Sequence, residues 1–243
     1  MLTTPAPTLI VPSMLDADFS RLGAEVAELG HAGADRLHWD VMDGQFVPRL
    51  THGADILRSV RGGGVPPFEA HLMIDRPELG WEPFADAGAE LVIVHVETTR
   101  HLHLLLSDIK RSGVRAGAAV DPGTPLSAIE HVVDLLDLLL VMSVEPGRGG
   151  QAFIGSMVGK VAAARQLLDD RGSAAELEVD GGVSATTAAA LVRAGATTLV
   201  VGSAIHRHSA GRAAAIGELR RVIQAAGTSQ RAQRPAGSAA KGG

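Results

Sequence analysis

The sequence predicts an α/β fold, a single (β/α)8 (TIM) barrel, and three observations lead there. A glycine repeatedly ends an Ala-rich stretch just before a short apolar run. Those runs are nearly continuous rather than alternating, as strands covered on both faces must be. The length of 243 residues matches one barrel of about 250 residues.

The recurring pattern fixes the first elements. Ala32-Gly33-Ala34-Asp35 precedes the run at 37–42, Ala87-Gly88-Ala89-Glu90 the run at 91–96, and Ala194-Gly195-Ala196-Thr197 the run at 198–201. Ser112-Gly113 before Val114 is a looser fourth copy. Each copy has the form of a helix C-cap feeding a strand. The other apolar runs complete eight candidate strands, at residues 9–11, 37–42, 68–74, 91–96, 116–120, 138–144, 176–180 and 198–201. Helical stretches are expected between them at 21–31, 124–134 and 159–170. Strands alternating with helices imply a parallel sheet, and an open doubly wound sheet is the structural alternative. The barrel is expected over residues 1–226. Residues 227–243 lack acids and large apolar side chains and are expected to be a disordered tail.

Composition narrows the chemistry. Cysteine and tyrosine are absent, which removes disulfides, thiolate metal sites and cysteine nucleophiles. Aromatics at 3% and a net charge of −5 give neither stacking platforms nor a basic footprint for nucleic acid. The most apolar stretch, 132–144, is broken by Asp134 and Asp137 and is too short to span a bilayer. Pro5, Pro7 and Pro12 interrupt the start of the chain, so no signal peptide is expected. The expectation is a cytoplasmic protein with no nucleic-acid or membrane partner.

Side chains two apart on a strand share a face. His38, Asp40 and Met42 do so, as do Glu69, His71 and Met73, and Glu178 and Asp180. All are expected late in their strands, at the C-terminal end that forms the active face of such a barrel. His38, Asp40, His71 and Asp180 would converge there as two imidazoles and two carboxylates, a set suited to Zn2+, Mn2+, Fe2+ or Co2+. Singly, each fits a satisfied core residue; together they need a counter-charge. Met42, Met73 and Met142 either fill the core or floor the site. Three glycine-rich turns follow later strands, at Gly147, Arg148, Gly149 and Gly150, at Gly181 and Gly182, and at Gly202 and Ser203. Exposed backbone N–H groups in such turns suit a phosphate.

At this point the residues resemble a family. Pro12-Ser13-Met14-Leu15 with Ala17-Asp18-Phe19, His38-Trp39-Asp40-Val41-Met42-Asp43-Gly44 with Phe46-Val47-Pro48, and His71-Leu72-Met73 are similar to segments of the ribulose-phosphate 3-epimerases. So are Val94-His95-Val96-Glu97, Met142-Ser143-Val144 with Pro146-Gly147, Gly149-Gly150-Gln151, Glu178-Val179-Asp180-Gly181-Gly182 and Gly202-Ser203-Ala204. The resemblance runs in order from about residue 8 to residue 206.

It implies a barrel of the ribulose-phosphate-binding type that interconverts ribulose 5-phosphate and xylulose 5-phosphate. It implies one divalent metal ion on His38, Asp40, His71 and Asp180, with Asp40 as proton acceptor and Asp180 as donor on opposite faces of the substrate. Ser13 and His71 resemble substrate contacts, and the glycine turns resemble the phosphate and substrate cradle. The family forms dimers and hexamers, so a homo-oligomer is implied. Asp16, Gln45, Glu145 and Arg148 depart from the family pattern. Arg148 either meets phosphate or pairs with Glu145. Another ketose phosphate, such as allulose 6-phosphate, is a second substrate reading. Two rivals stand outside the family: a phosphate-binding barrel lyase, whose Asp-x-Lys-x-x-Asp motif this chain lacks, and a non-catalytic sugar-phosphate-binding barrel.

Overall fold

The structure is a computed structural model and describes residues 7–233. Among them are eight strands: β1 Leu9–Pro12, β2 Leu37–Met42, β3 Phe68–Met73, β4 Leu91–His95, β5 Arg115–Val120, β6 Leu138–Met142, β7 Glu176–Asp180 and β8 Thr198–Val201. All neighbours are parallel, in the order β1-β8-β7-β6-β5-β4-β3-β2. A parallel bridge from Ser13 to His38 joins β1 to β2 and closes the ring. Asp35 reinforces this seam: its N donates to the Ile10 carbonyl (3.1 Å) and its carboxylate accepts from Ile10 N (2.7 Å).

The helices are α1 Leu22–His31, α2 Ala54–Val60, α3 Glu82–Asp86, α4 Leu102–Arg111, α5 Met157–Asp170, α6 Ala185–Arg193, α7 Ser203–His206 and α8 Arg212–Gln233. The recurring Ala-Gly-Ala pattern ends α1, α3 and α6 in one geometry. Gly33, Gly88 and Gly195 stand at φ 91, 94 and 106°, where an L side chain would be strained. The following alanine N–H reaches back to Leu29, Phe84 and Leu191 carbonyls at 3.1, 3.1 and 3.0 Å. This is the paired bond set of a Schellman cap, and it turns each helix straight into the next strand.

Two expectations need correcting. No helix spans 124–134; the segment forms two 3-10 turns, Leu126–Ala128 and Val133–Leu135. Ile129, Val132, Val133 and Leu136 are buried at spacings that a three-residue turn serves as well as an α-helix. Lys160 on α5 also donates to the carbonyls of Asp121, Pro122 and Thr124 (2.5, 3.3 and 2.6 Å), and the last of these is a carbonyl that a helix from 124 would have used. The second correction concerns the tail, because α8 continues past residue 226 to Gln233. A single glycine, Gly227, costs a helix only about 1 kcal/mol, and Thr228 Oγ donates back to the Gln224 carbonyl at 2.7 Å. Residues 234–243 lie outside the described part. No described helix is long and apolar enough to cross a membrane.

The large apolar core lies between the sheet and its helices and includes Trp39, Leu72, Val94, Leu139 and Ile216. The barrel lumen is divided. Leu91, Ile93, Leu138, Leu140 and Met142 fill the side of β4 and β6 with a second apolar cluster. The side of β2, β3 and β7 holds buried Arg36, His38, Glu69 and Glu178. Charge thus collects under one half of the barrel.

Candidate active site

Strand alternation and register assemble the four predicted ligands. Parallel pairing sets Asp40 beside His71, Met42 beside Met73, and Met142 beside Asp180. His38, Asp40, His71 and Asp180 then offer atoms all within 4.8 Å of one another. His38 Nε2 lies 3.0 Å from His71 Nδ1, and both nitrogens lie 3.3 Å from Asp40 Oδ1 and 4.0 Å from Asp180 Oδ2. Two residues depart from the expected position: His38 and Glu69 are the second residues of β2 and β3, not late ones. The stagger needed to close a barrel sets His38 level with Ser13, just past the end of β1.

Electrostatics separate the two aspartates. Burial alone would raise the Asp40 carboxyl, but His38 and His71 outweigh it and hold the group below the usual carboxylate range. Asp180 is pushed up to about 7 by burial and by the charge of Asp40. Against its own burial, His38 is held well above the ordinary imidazole value by Asp40 and then Glu69. His71 falls to about 4 through burial, opposed by its bond to Asp40, so its ring is neutral near pH 7. The set fits a divalent cation: borderline nitrogens and hard oxygens converge where negative charge already draws a proton onto His38.

A supporting layer holds these side chains. Ser13 Oγ donates to Asp40 Oδ2 at 2.6 Å and accepts from Leu15 N at 3.1 Å. Thr51 Oγ donates to the Asp40 carbonyl at 2.8 Å and accepts from Met42 N at 2.9 Å. His38 Nδ1 donates to Glu69 at 2.6 Å, and Glu69 is paired with Arg36, which also meets Glu176 (2.8 Å) and Glu178 (3.4 Å). His71 Nε2 sits 2.8 Å from His95 Nε2, and His95 Nδ1 faces Asp121 (3.1 Å) and Glu97 (3.2 Å). With His71 Nδ1 turned to the cluster, the bonds assign the rest: His71 Nε2–H donates to His95, whose Nδ1–H donates to Glu97, with the Asp121 carboxylate alongside. Carboxylate–imidazole chains of this kind orient metal ligands.

Above the cluster opens a cleft of about 600 Å³. Ser13, Asp40, Met42, Met73, Met142 and Asp180 line it, with Gly147, Arg148, Gly149, Gly150, Gly181, Gly182, Gly202 and Ser203 from the three turns. The methionines are both buried and cleft-lining, so they floor the site. His38 and His71 are fully buried and are not among the residues that line the cleft. Arg148 is exposed and makes no ion pair with Glu145. Gln151 folds that loop instead, donating to the Glu145 and Arg148 carbonyls at 2.6 and 2.8 Å. Gly181 (φ 115°) packs against Val144, 2.4 Å from where a Cβ would stand, and Ser143 Oγ donates to its carbonyl at 2.6 Å. This contact fixes the turn that carries Asp180.

Several contributing residues escaped the sequence reading: Arg36, Thr51, His95, Asp121 and Ser143. Glu69 and Glu178 carried a signal, since they share faces with His71 and Asp180. His95, Glu97 and Ser143 stood within resembling segments, without an assigned role. Arg36 and Asp121 precede or follow a strand, where alternation says nothing about direction.

Comparisons with known proteins agree with this geometry. The family described as the ribulose-phosphate 3 epimerase family matches residues 9–206. A ribulose-phosphate 3-epimerase of Bacillus subtilis is 46% identical over 212 residues, covering 87% of this chain and 97% of that protein. One of Escherichia coli K12 is 44% identical over 198 residues, 81% of this chain and 88% of that protein. A solved 3-hexulose-6-phosphate synthase from Salmonella typhimurium superposes with a TM-score of 0.65 at 18% identity, over 90% of this chain and 99% of that one. At that identity the likeness carries the barrel alone.

Proposed function

Because the chain belongs to the ribulose-phosphate 3-epimerase family, and so is an isomerase, we propose that it interconverts ribulose 5-phosphate and xylulose 5-phosphate with Asp40 and Asp180 as its acid–base pair. The observation that carries this reading is the contrast between two aspartates lining one cleft. Asp40 is held ionised by His38 and His71, whereas burial and the charge of Asp40 push Asp180 up to about 7, where it gains and gives up a proton near neutrality. Epimerisation at C3 needs a base on one face of that carbon and an acid on the other. Asp40 takes the C3 proton, and Asp180 delivers one from the opposite side; in the reverse direction the two exchange roles.

His38, Asp40, His71 and Asp180 would hold a divalent cation, Zn2+, Fe2+, Mn2+ or Co2+. When bound, it supplies Lewis-acid stabilisation of the negative charge developing at the C2 oxygen. Ser13 orients the Asp40 carboxylate through their 2.6 Å bond. Met42, Met73 and Met142 keep water from the reacting carbon. The glycine turns are assigned to the phosphate, whose binding energy away from C3 sets that carbon between the aspartates.

The test is exchange of the C3 hydrogen of ribulose 5-phosphate with D2O, followed by proton NMR with metal-loaded and chelator-treated protein. Metal-dependent incorporation at C3 is expected. Absence of exchange on ribulose 5-phosphate, hexulose 6-phosphates and tetrulose 4-phosphate alike would remove the enzymatic reading. Faster turnover of a hexulose 6-phosphate would move the assignment to another ketose.

A further inference from the structure

At the outer end of the cleft, a carboxylate stands among the turns assigned to phosphate. Asp16 lies between two of them: its Oδ2 is 2.7 Å from where a Cβ would stand on Gly202, and both oxygens are 4.0 Å from the same point on Gly149. Its side chain is only 11% exposed. An anion seated against Gly149, Gly202 and Ser203 would meet this negative charge at close range, which opposes binding unless the charge is offset. Arg207, directly after α7, provides the offset, with Nη2 2.9 Å from Asp16 Oδ1. The arginine side chain is 73% exposed and lines the same cleft. A guanidinium has five N–H donors, and this contact leaves its other edge free.

We propose that Arg207, aimed by Asp16, grips the phosphate of the substrate, so that an Asp16–Arg207 couple adds a charged clamp to the backbone N–H groups of the glycine turns. The proposal rests on the phosphate placement above. Asp16 draws the flexible arginine to the rim of the cradle, and the free edge of the guanidinium is left to form charge-assisted bonds to an incoming phosphate oxygen. Without Arg207, Asp16 turns from anchor to repellent. Arg207 is thus a binding residue and Asp16 the residue that positions it, apart from the acid–base chemistry.

Competition by inorganic phosphate against ketose-phosphate turnover, measured for wild type, R207Q and R207Q/D16N, tests this. R207Q is expected to raise the inhibition constant of phosphate and the KM of substrate by about 10- to 100-fold, the loss of one charge-assisted bond. KM should carry most of the change and kcat little. R207Q/D16N is expected to recover part of that loss, because the uncompensated carboxylate is gone. Inhibition of R207Q within twofold of wild type overturns the clamp. So does a double variant no better than R207Q, since Arg207 would then act without Asp16. Wild type that turns over the substrate but ignores inorganic phosphate also overturns it. Wild type inactive on every phosphate ester strikes the functional reading instead. Thermal unfolding of each variant verifies the fold.

Discussion

Asp40 and Asp180 are the same residue type in one cleft, and their surroundings give them different work. Asp40 has two imidazoles within 3.3 Å and Ser13 as a hydrogen-bond donor; Asp180 has the charge of Asp40 and burial. Asp180→Asn keeps the shape and removes the exchangeable acid, so kcat should fall by about 100-fold or more, a typical share for general acid–base catalysis. Substrate binding, measured by calorimetry, should remain, and near-normal turnover would take Asp180 out of the mechanism. His95→Phe deletes the acceptor for His71 Nε2–H, 2.8 Å away, leaving the tautomer of a ligand unfixed. Metal affinity from competition with a chromophoric chelator should weaken by about 10- to 100-fold. The four side chains of the cluster were legible because alternation on a strand dictates a shared face. Arg207 was not, because its place follows from a turn after α7 and a partner nearly two hundred residues away in sequence.

At the scale of the element, the barrel divides into an apolar and an ionic half. Arg36, with a side chain 6% exposed, pairs with Glu69 and Glu176 and approaches Glu178. Arg36→Met would leave buried carboxylates without their counter-charge, a loss of about 3–5 kcal/mol readable by urea denaturation. Glu176 gives a pH signature. Burial favours its neutral form, yet Arg36 and then Arg115 hold it at about 2 against an ordinary 4.5. Its folded pKa is depressed, so its contribution is present above pH 4.5 and is lost as pH falls toward 2. Denaturation curves of Glu176→Gln should show a shallower loss of stability across that window than wild type; equal slopes would refute the assignment. The strands were predicted within two residues of their observed ends because runs buried on both faces are short and unbroken. The helix expected at 124–134 was not found, since apolar spacing alone does not separate an α-helix from successive 3-10 turns once Lys160 of α5 occupies the nearby carbonyls.

For the whole molecule, the ligand cluster lies beside the seam that closes the barrel. His38 forms the bridge between β1 and β2, while His71 and Asp180 come from β3 and β7. A cation bound there ties β2, β3 and β7 together and stabilises only the folded state. At a free concentration of 100 times its Kd it should add about 2.7 kcal/mol. That corresponds to a rise in Tm of roughly 5–10 °C for a chain of this size, measurable by calorimetry before and after chelation. No rise with any of the four candidate metals would argue against a metal centre.

The sequence by itself determined the barrel, its eight strands and the four side chains, His38, Asp40, His71 and Asp180, that converge in it. Caps, runs and alternation are local, and a parallel barrel has little freedom in how it joins them. Tertiary structure decided the level of His38, the chain from His71 through His95 to Asp121, the ionic half of the lumen and the Asp16–Arg207 pair. Each depends on strand stagger or on side chains meeting across distant segments, and distances of that kind exist only after the ring has closed.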